Sequence, residues 1–187
     1  MKWLVFIAGA ILSTVAVFLV LDKQKRRDTL IESDEMDGGV THYDSGEDAP
    51  KTINSTEIVK FNCTFSLLAC SDCDDLGKLR YAYNAKTDNK TVNVTVESFD
   101  RISGEKGSFI ADYDFMRRLS ELVIKHRLVE HNGFFHKVSG LPDMYGASID
   151  IVYESGEYIH AYDNQSNFLT YEAMSDIKAL FDSCKAK

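Results

Sequence analysis

The residues with the best potential for chemistry in this sequence are an aspartate and a histidine near the C-terminus. Residues 147–153 and 157–162 alternate between apolar and polar side chains, which is typical of two half-buried strands. A three-residue loop ending in Gly156 predicts a β-hairpin. This loop places Asp150 opposite His160, and it aligns the apolar pairs Ile151 with Ile159 and Ile149 with Ala161.

The polar face of this hairpin also carries two tyrosines. Tyr158 and Tyr162 flank His160, and tyrosine offers apolar area with a polar tip. We expect a shallow ligand-binding surface made of Asp150, Tyr158, His160 and Tyr162. The alternative is ordinary cross-strand pairing on a solvated face. An Asp–His pair can act as acid and base, but no nucleophile can be placed beside it, so no catalytic residue is predicted.

The four cysteines do not predict a metal site. Cys63 and Cys184 fall on apolar faces of predicted elements, where buried free cysteine is common. Cys70 and Cys73 have the C-x-x-C spacing, but neighbouring aspartates raise a thiol's pKa, and two further zinc ligands are missing. We expect an exposed loop, with a Cys70–Cys73 disulfide forming in an oxidising compartment alone.

Several function classes are excluded by motif and charge. The glycines form no phosphate-binding loop, so no nucleotide cofactor is predicted. The formal net charge is −8, and no basic-aromatic stripe is present, which argues against a nucleic-acid partner. No cofactor of any kind is predicted.

The elements that position the candidate surface form a predicted α+β domain over residues 57–187. Residues 57–67, 79–84 and 91–99 alternate as strands, and Asp88-Asn89 supplies a turn. Helices are predicted after Asp112 as N-cap and from about Thr170. The order is therefore βββαββα, and it predicts an antiparallel sheet packed on two helices.

The first 56 residues are predicted to lie outside this domain. Residues 1–27 contain an uncharged run over residues 3–21, long enough for a single transmembrane helix, followed by a basic flank. A cleaved signal peptide is the alternative, although no suitable cleavage site follows the run. Residues 28–56 are acidic and lack hydrophobic periodicity, which is typical of a disordered linker.

The flanking charges favour a cytoplasmic domain. Four basic residues follow the apolar run, namely Lys23, Lys25, Arg26 and Arg27, and the positive-inside rule places such a flank in the cytoplasm. The opposite, extracellular orientation is suggested by five N-x-S/T sequons, at Asn54, Asn62, Asn89, Asn93 and Asn164.

A longer pattern resembles a domain family of Gram-positive anaerobic bacteria that has no assigned activity. It consists of the stretch Val138-Ser139-Gly140-Leu141-Pro142-Asp143-Met144-Tyr145-Gly146 and the segments at 149–153, 155–156 and 161–164. A helix opening at Phe115-Met116 and ending at Asn132-Gly133 is similar too. The resemblance covers residues 57–181 and implies one domain and a bacterial source.

These observations lead to three expectations for function. The first is a membrane-tethered, non-catalytic module that binds a protein or small molecule of unknown specificity. The second is a membrane-anchored hydrolase using Asp150 and His160. The third is an envelope sensor or structural spacer, in which the anchor and linker matter more than any binding surface.

Overall fold

A computed structural model describes residues 39–67, 79–88, 90–100, 103–141 and 145–184 of the chain. The predicted anchor over residues 1–27, its span at 3–21, and the pair Cys70 and Cys73 lie outside these ranges. Within the described ranges, no helix has both the length and the apolar character needed to cross a membrane.

Eight strands among the described residues form one mixed sheet. They are β1 (Thr41–Asp44), β2 (Ile58–Ser66), β3 (Arg80–Asp88), β4 (Thr91–Phe99), β5 (Gly104–Asp112), β6 (Phe135–Val138), β7 (Ala147–Tyr153) and β8 (Tyr158–Asp163). Their order across the sheet is β1-β6-β8-β7-β2-β3-β4-β5. Neighbouring strands are antiparallel except β6 and β8, which run parallel. In the described part of the chain, two helices, α1 (Asp114–Lys125) and α2 (Tyr171–Asp182), and a 3-10 helix, Leu128–His131, accompany the sheet.

The predicted βββαββα order, with an antiparallel sheet packed on two helices, is wrong. The domain is mostly sheet, and β1, β5 and β6 were not predicted. Strands β1 and β6 have four residues each, too few to show alternation, and β5 begins with the polar stretch Gly104-Glu105-Lys106-Gly107. The coarser assignment to the α+β class is consistent with a largely antiparallel sheet with helices.

The strongly alternating segments were predicted correctly. Strands β2, β3 and β4 are antiparallel neighbours in succession, and β3 and β4 pair from Arg80–Phe99 to Asp88–Thr91. The β7–β8 hairpin has the predicted register, with Asp150 opposite His160 and Ile151 opposite Ile159. Gly156 has φ of +85° in the hairpin loop, as the predicted turn requires.

Both helices contribute to the core on one face of the sheet. The alternate residues of β2, β3, β4, β7 and β8 are buried together with the apolar stripes of α1 and α2. Phe181 of α2 is fully buried and packs against Phe61, Tyr83 and Phe115, with ring centroids 5.9, 4.7 and 5.1 Å away. Aromatic packing of this kind fixes the helix over the sheet.

The two helix starts had different outcomes. The Thr170 side chain accepts a hydrogen bond from the Ala173 backbone N–H at 3.2 Å, so the predicted start of α2 is confirmed. Asp112 is not the N-cap of α1, because it ends β5, and the N-cap is Tyr113, without a side-chain capping bond.

The domain also begins earlier than predicted. Residues 41–44, inside the predicted linker at 28–56, form β1 and pair with β6. Farther along, the Lys51 Nζ donates to the Asn132 carbonyl at 2.5 Å, and the Asn54 N–H donates to Glu157 at 2.9 Å. These residues are therefore part of the domain. The composition of this segment is polar because its residues form a sheet edge and loops rather than part of the core.

Candidate functional site on the open sheet face

The predicted surface lies on the side of the sheet opposite the helices, which we call the open face. Side chains alternate along a strand, so the neighbours of buried residues point away from the core. The buried residues of β7 and β8 include Ile149, Ile151, Ile159 and Ala161. Asp150 and His160 therefore share the open face with Tyr158 and Tyr162.

Asp150 lies at the centre of a polar network that crosses four strands. Its Oδ2 atom accepts from Lys60 Nζ at 2.8 Å and from the Asn62 side-chain amide at 3.1 Å, both in β2. The side-chain Oδ1 of Asn62 in turn accepts a hydrogen bond from the side-chain Nδ2 of Asn84 in β3. His160 of β8 lies on the other side, with its Nδ1 3.9 Å from Asp150 Oδ1.

This network keeps Asp150 charged. Partial burial by itself would raise the pKa of its carboxyl, but the hydrogen bond and charge of Lys60 and the hydrogen bond of Asn62 outweigh that effect, aided by the nearby His160. The pKa is therefore below its ordinary value. A carboxyl group with a lowered pKa is ionised near neutral pH. It therefore has no proton to donate there, and it is a weak base.

The geometry also argues against an acid–base pair. A separation of 3.9 Å is beyond hydrogen-bond distance, so Asp150 does not orient the His160 ring as a catalytic partner would. The His160 side chain is 53% exposed. Among the described residues, no hydroxyl or thiol forms a hydrogen bond with the His160 side chain. The Asp150–His160 pair therefore lies on an open surface without a nucleophile beside it.

The two tyrosines contribute differently to the face. Tyr158 is 59% exposed and offers its ring to solvent. The Tyr162 ring stacks on Phe135 of β6, with centroids 5.4 Å apart and an interplanar angle of 23°. Tyr162 is therefore part of a packed aromatic pair at the β6–β8 boundary, whereas Tyr158 is free to contact a partner.

Asn132, which sequence reasoning did not single out, holds the strand that carries these residues. Its side chain is fully buried, and Oδ1 accepts from the His160 backbone N–H at 2.8 Å. Its Nδ2 donates to the carbonyls of Pro50 and Tyr158, at 3.0 and 3.2 Å. The backbone of β8 is therefore fixed before any partner binds.

A second Asp–His pair, also missed by sequence reasoning, joins β6 to β8 on the helix side of the sheet. His136 Nδ1 lies 3.1 Å from Asp163 Oδ2, and the Asp163 side chain is 2% exposed. The carboxylate also accepts from the backbone N–H groups of Gln165 and Ser166, at 2.7 and 2.9 Å, and from the Ser166 hydroxyl at 2.6 Å. These bonds outweigh the effect of burial and lower the pKa of Asp163.

This pair resembles the orienting half of a catalytic triad, but its surroundings are structural. Ser166 donates its proton to Asp163 itself, so it is not a nucleophile for His136. Tyr43 packs edge-on against the His136 ring, with centroids 6.1 Å apart. Within the described part of the chain, no hydroxyl or thiol hydrogen-bonds to His136. The pair therefore secures the parallel β6–β8 contact.

One cluster at the helix ends has the donor types of a metal site. His126, Glu172 and Asp176 place ligand atoms within 4.8 Å of one another. The Lys125 ammonium already contacts both carboxylates, at 3.1 Å from Glu172 and 2.6 Å from Asp176, and His126 Nε2 is 2.8 Å from Asp176. These groups satisfy one another as an ion-pair cluster between α1 and α2.

Three cavities among the described residues lie against α1, away from the open face. One of about 530 Å³ runs between α1 and the start of β2, and its floor is formed by Ile58, Met116 and Ser120. Arg117, one of its charged residues, is ion-paired with Asp114 and Glu121 on the same helix. The Arg117 guanidinium is therefore already engaged.

The structure brings together all four predicted site residues, Asp150, Tyr158, His160 and Tyr162, on one face. It adds Lys60 and Asn62, which the alternation of β2 placed on a polar face but could not connect to β7. No known family model, curated protein or solved structure matches this chain.

Proposed function

We propose that this protein is a membrane-tethered, non-catalytic module that binds another protein through the open face around Tyr158 and His160. The observation that carries the proposal is the hydrogen-bonded polar network across β3, β2 and β7, beside which β8 presents an exposed tyrosine and histidine on an open surface. Small-molecule sites are concave and largely apolar, so a flat polar face suits a protein surface better.

The chemistry of the face supports a partner with both polar and apolar groups. Tyr158 supplies a large ring with a hydroxyl at its tip, which is a common anchor in protein interfaces. His160 and the Lys60–Asp150 ion pair surround it with donors and acceptors. The scaffold is rigid, since Asn132 fixes β8, so little ordering is needed on binding.

The hydrolase alternative has less support, because Asp150 is engaged by Lys60 and Asn62 and lies 3.9 Å from His160. The sensor or spacer alternative differs in its consequence. It requires that substitutions on the open face leave function unchanged. The experiment below distinguishes this alternative from the binding proposal.

We place the domain on the cytoplasmic side as part of this proposal. The basic flank at residues 23–27 supports this orientation. Two of the opposing sequons have a structural role: the Asn164 amide is buried and bonds to both backbone groups of Val138, and the Asn62 amide binds Asp150. The side-chain nitrogens of these two asparagines are therefore engaged within the fold.

The proposal is tested by site-specific photocrosslinking in cells that naturally express the protein. A benzophenone amino acid replaces Tyr158 on the open face or, as a matched control, Tyr171 on helix α2, which is also an exposed tyrosine. We expect one discrete protein adduct at position 158, absent at 171 and lost when His160→Ala is added. Both residues are exposed, so the fold should be unaffected.

Equal adducts at both positions, or an adduct insensitive to His160→Ala, would argue against a binding site on the open face. Absence of an adduct at 158, together with normal function of a Tyr158→Ala, His160→Ala variant, would favour the spacer reading. An impermeant maleimide directed at Cys70 and Cys73 in intact cells then tests the orientation, since labelling without permeabilisation places the domain outside.

A further inference from the structure

The cavity between α1 and the start of β2 plays no part in the proposed function. Its volume of about 530 Å³ lies within the range of about 300–1,000 Å³ that is usual for small-molecule sites. Ile58 and Met116 at its floor are buried, and Ile124, which also lines it, is 64% exposed. This apolar surface can cover the apolar body of a ligand, which would remove both from water.

A buried hydroxyl also lies at this floor. Ser120 is 5% exposed, and it lines both this cavity and a neighbouring one of about 310 Å³. Within the described part of the chain, the Ser120 hydroxyl forms no hydrogen bond. Buried polar groups are normally hydrogen-bonded, so this hydroxyl is available to a polar group of a ligand.

The charges that line the cavity are not balanced. Its lining has one guanidinium, that of Arg117, and three carboxylates, those of Glu57, Asp114 and Glu121. Arg117 contacts both Asp114 and Glu121, so a single positive charge is shared between two negative ones. The lining therefore has an excess of negative charge, which favours a cationic ligand.

Glu57 is the carboxylate that no cation neutralises. Among the described residues, its side chain interacts with the Tyr113 hydroxyl, which donates to it at 3.3 Å, and with the Glu154 carboxyl. The hydrogen bond and the charge of Glu57 raise the pKa of Glu154. A carboxylate has about four acceptor positions, so these contacts leave Glu57 able to accept from a further donor.

Tyr113 adds an aromatic ring beside this carboxylate. It is 45% exposed and lines the cavity together with Glu57. The face of an aromatic ring attracts a cation, and a primary ammonium group has three donors for a carboxylate. The mouth of the cavity thus combines two groups that recognise an organic cation, above a floor that is apolar.

We propose that this cavity is a second binding site, which takes a small organic cation with an apolar body and one primary amine. The ammonium group lies between Glu57 and the Tyr113 ring, and the body covers Ile58 and Met116. A ligand with a carboxylate is disfavoured by the negative charge of the lining. The site is separate from the open face, so it does not depend on the proposed function.

Three probes of similar size and different charge test this proposal. They are phenethylamine, phenethyl alcohol and phenylacetate, each titrated into the full-length protein in a non-ionic detergent with isotope-labelled isoleucine and methionine methyl groups. With the amine, the methyl signals of Ile58, Met116 and Ile124 should shift and saturate. Ile110, which is 76% exposed on β5, is the internal control and should not shift.

The charge of the probe should decide its affinity. We expect the alcohol to bind about tenfold more weakly than the amine and phenylacetate to show no saturable binding. The affinity of the amine should also fall as the salt concentration rises, because exposed charges are screened, whereas that of the alcohol should stay constant.

Two variants locate the site. Glu57→Gln should weaken the amine about tenfold and leave the alcohol unchanged, and the fold should persist because Glu57 is exposed. Glu47→Gln is the matched control, since it removes the same charge from an exposed residue that does not line the cavity. Ser120→Leu places a larger side chain at the floor and should abolish binding of both the amine and the alcohol.

Three results would overturn the proposal. The first is the absence of saturable amine binding up to about 20 mM. The second is equal affinity for the amine and the alcohol, since the carboxylates would then not select the ligand. The third is an equal effect of Glu57→Gln and Glu47→Gln, which would mean that the amine responds to the net charge of the protein and not to this cavity.

Discussion

Removing the Asp163 carboxylate tests the structural role assigned to the β6–β8 contact. The side chain is buried and accepts four hydrogen bonds, from His136, the Ser166 hydroxyl and the N–H groups of Gln165 and Ser166. Hydrogen bonds to a charged group contribute about 1.5–3 kcal/mol each, although they do not add fully. We expect Asp163→Ala to lower the free energy of unfolding by about 3 kcal/mol.

A comparison with Asp163→Asn separates charge from hydrogen bonding. The amide oxygen can still accept from the two backbone N–H groups, so we expect a loss of about 1.5 kcal/mol. Asp44→Ala is the matched control, because Asp44 accepts from the Gly46 N–H at 2.8 Å in a similar turn but belongs to an exposed strand. Its loss should stay below about 1 kcal/mol.

The charge also predicts how stability depends on pH. The folded pKa of Asp163 is lower than its unfolded value, so its contribution is complete above the ordinary aspartate pKa of about 3.9 and is lost as pH falls through the lower, folded value. The stability difference between wild type and Asp163→Asn should therefore begin to shrink as pH falls below about 4.

The assay is urea unfolding of the full-length protein in detergent, followed by circular dichroism. Fluorescence is unsuitable, because the single tryptophan is Trp3, which is not among the residues that the structure describes. For a domain of this size, 3 kcal/mol corresponds to a melting temperature about 6–12 °C lower. Unchanged unfolding of both Asp163 variants, or a stability difference that grows at low pH, would refute this account of the carboxylate.

Three further predictions concern the packing and the strand that supports the open face. Phe181→Ala should cost about 3–5 kcal/mol in unfolding free energy, since the ring is fully buried among aromatic neighbours; a loss below 1 kcal/mol would contradict this packing. Thr170→Ala should cost about 1 kcal/mol through loss of the α2 cap, while Thr170→Ser should be nearly neutral in the same urea unfolding assay. Asn132→Ala should cost about 2–3 kcal/mol and speed amide exchange in β8, because three hydrogen bonds are lost; unchanged exchange at His160 would disprove its anchoring role.

Local sequence determined the parts of the fold that show their periodicity within a few residues. Strand β4 alternates over nine residues and β2 alternates from Phe61 to Phe65, and the loop ending in Gly156 fixes the β7–β8 register. Thr170 marks the start of α2 for the same reason, since the capping side chain and the capped N–H lie three residues apart.

Sequence also placed Asp150, Tyr158, His160 and Tyr162 on one face, because that needs only the register of a hairpin. Sequence could not show that Asp150 contacts Lys60. The two residues are 90 positions apart, and the pairing of their strands depends on the whole sheet. The same limit applies to the burial of Asp163 and its bond to His136, since β6 and β8 meet through a parallel crossover.

The short and edge strands were decided by tertiary structure alone. Strand β1 forms from four polar residues because β6 offers it a backbone to pair with, and β5 forms because β4 does so over nine residues. Backbone hydrogen bonds are common to all residue types, so this kind of pairing leaves little trace in the side chains. Sequence therefore determined the apolar alternation and the capping and turn residues, whereas tertiary pairing decided which strands meet and which polar groups they bring together.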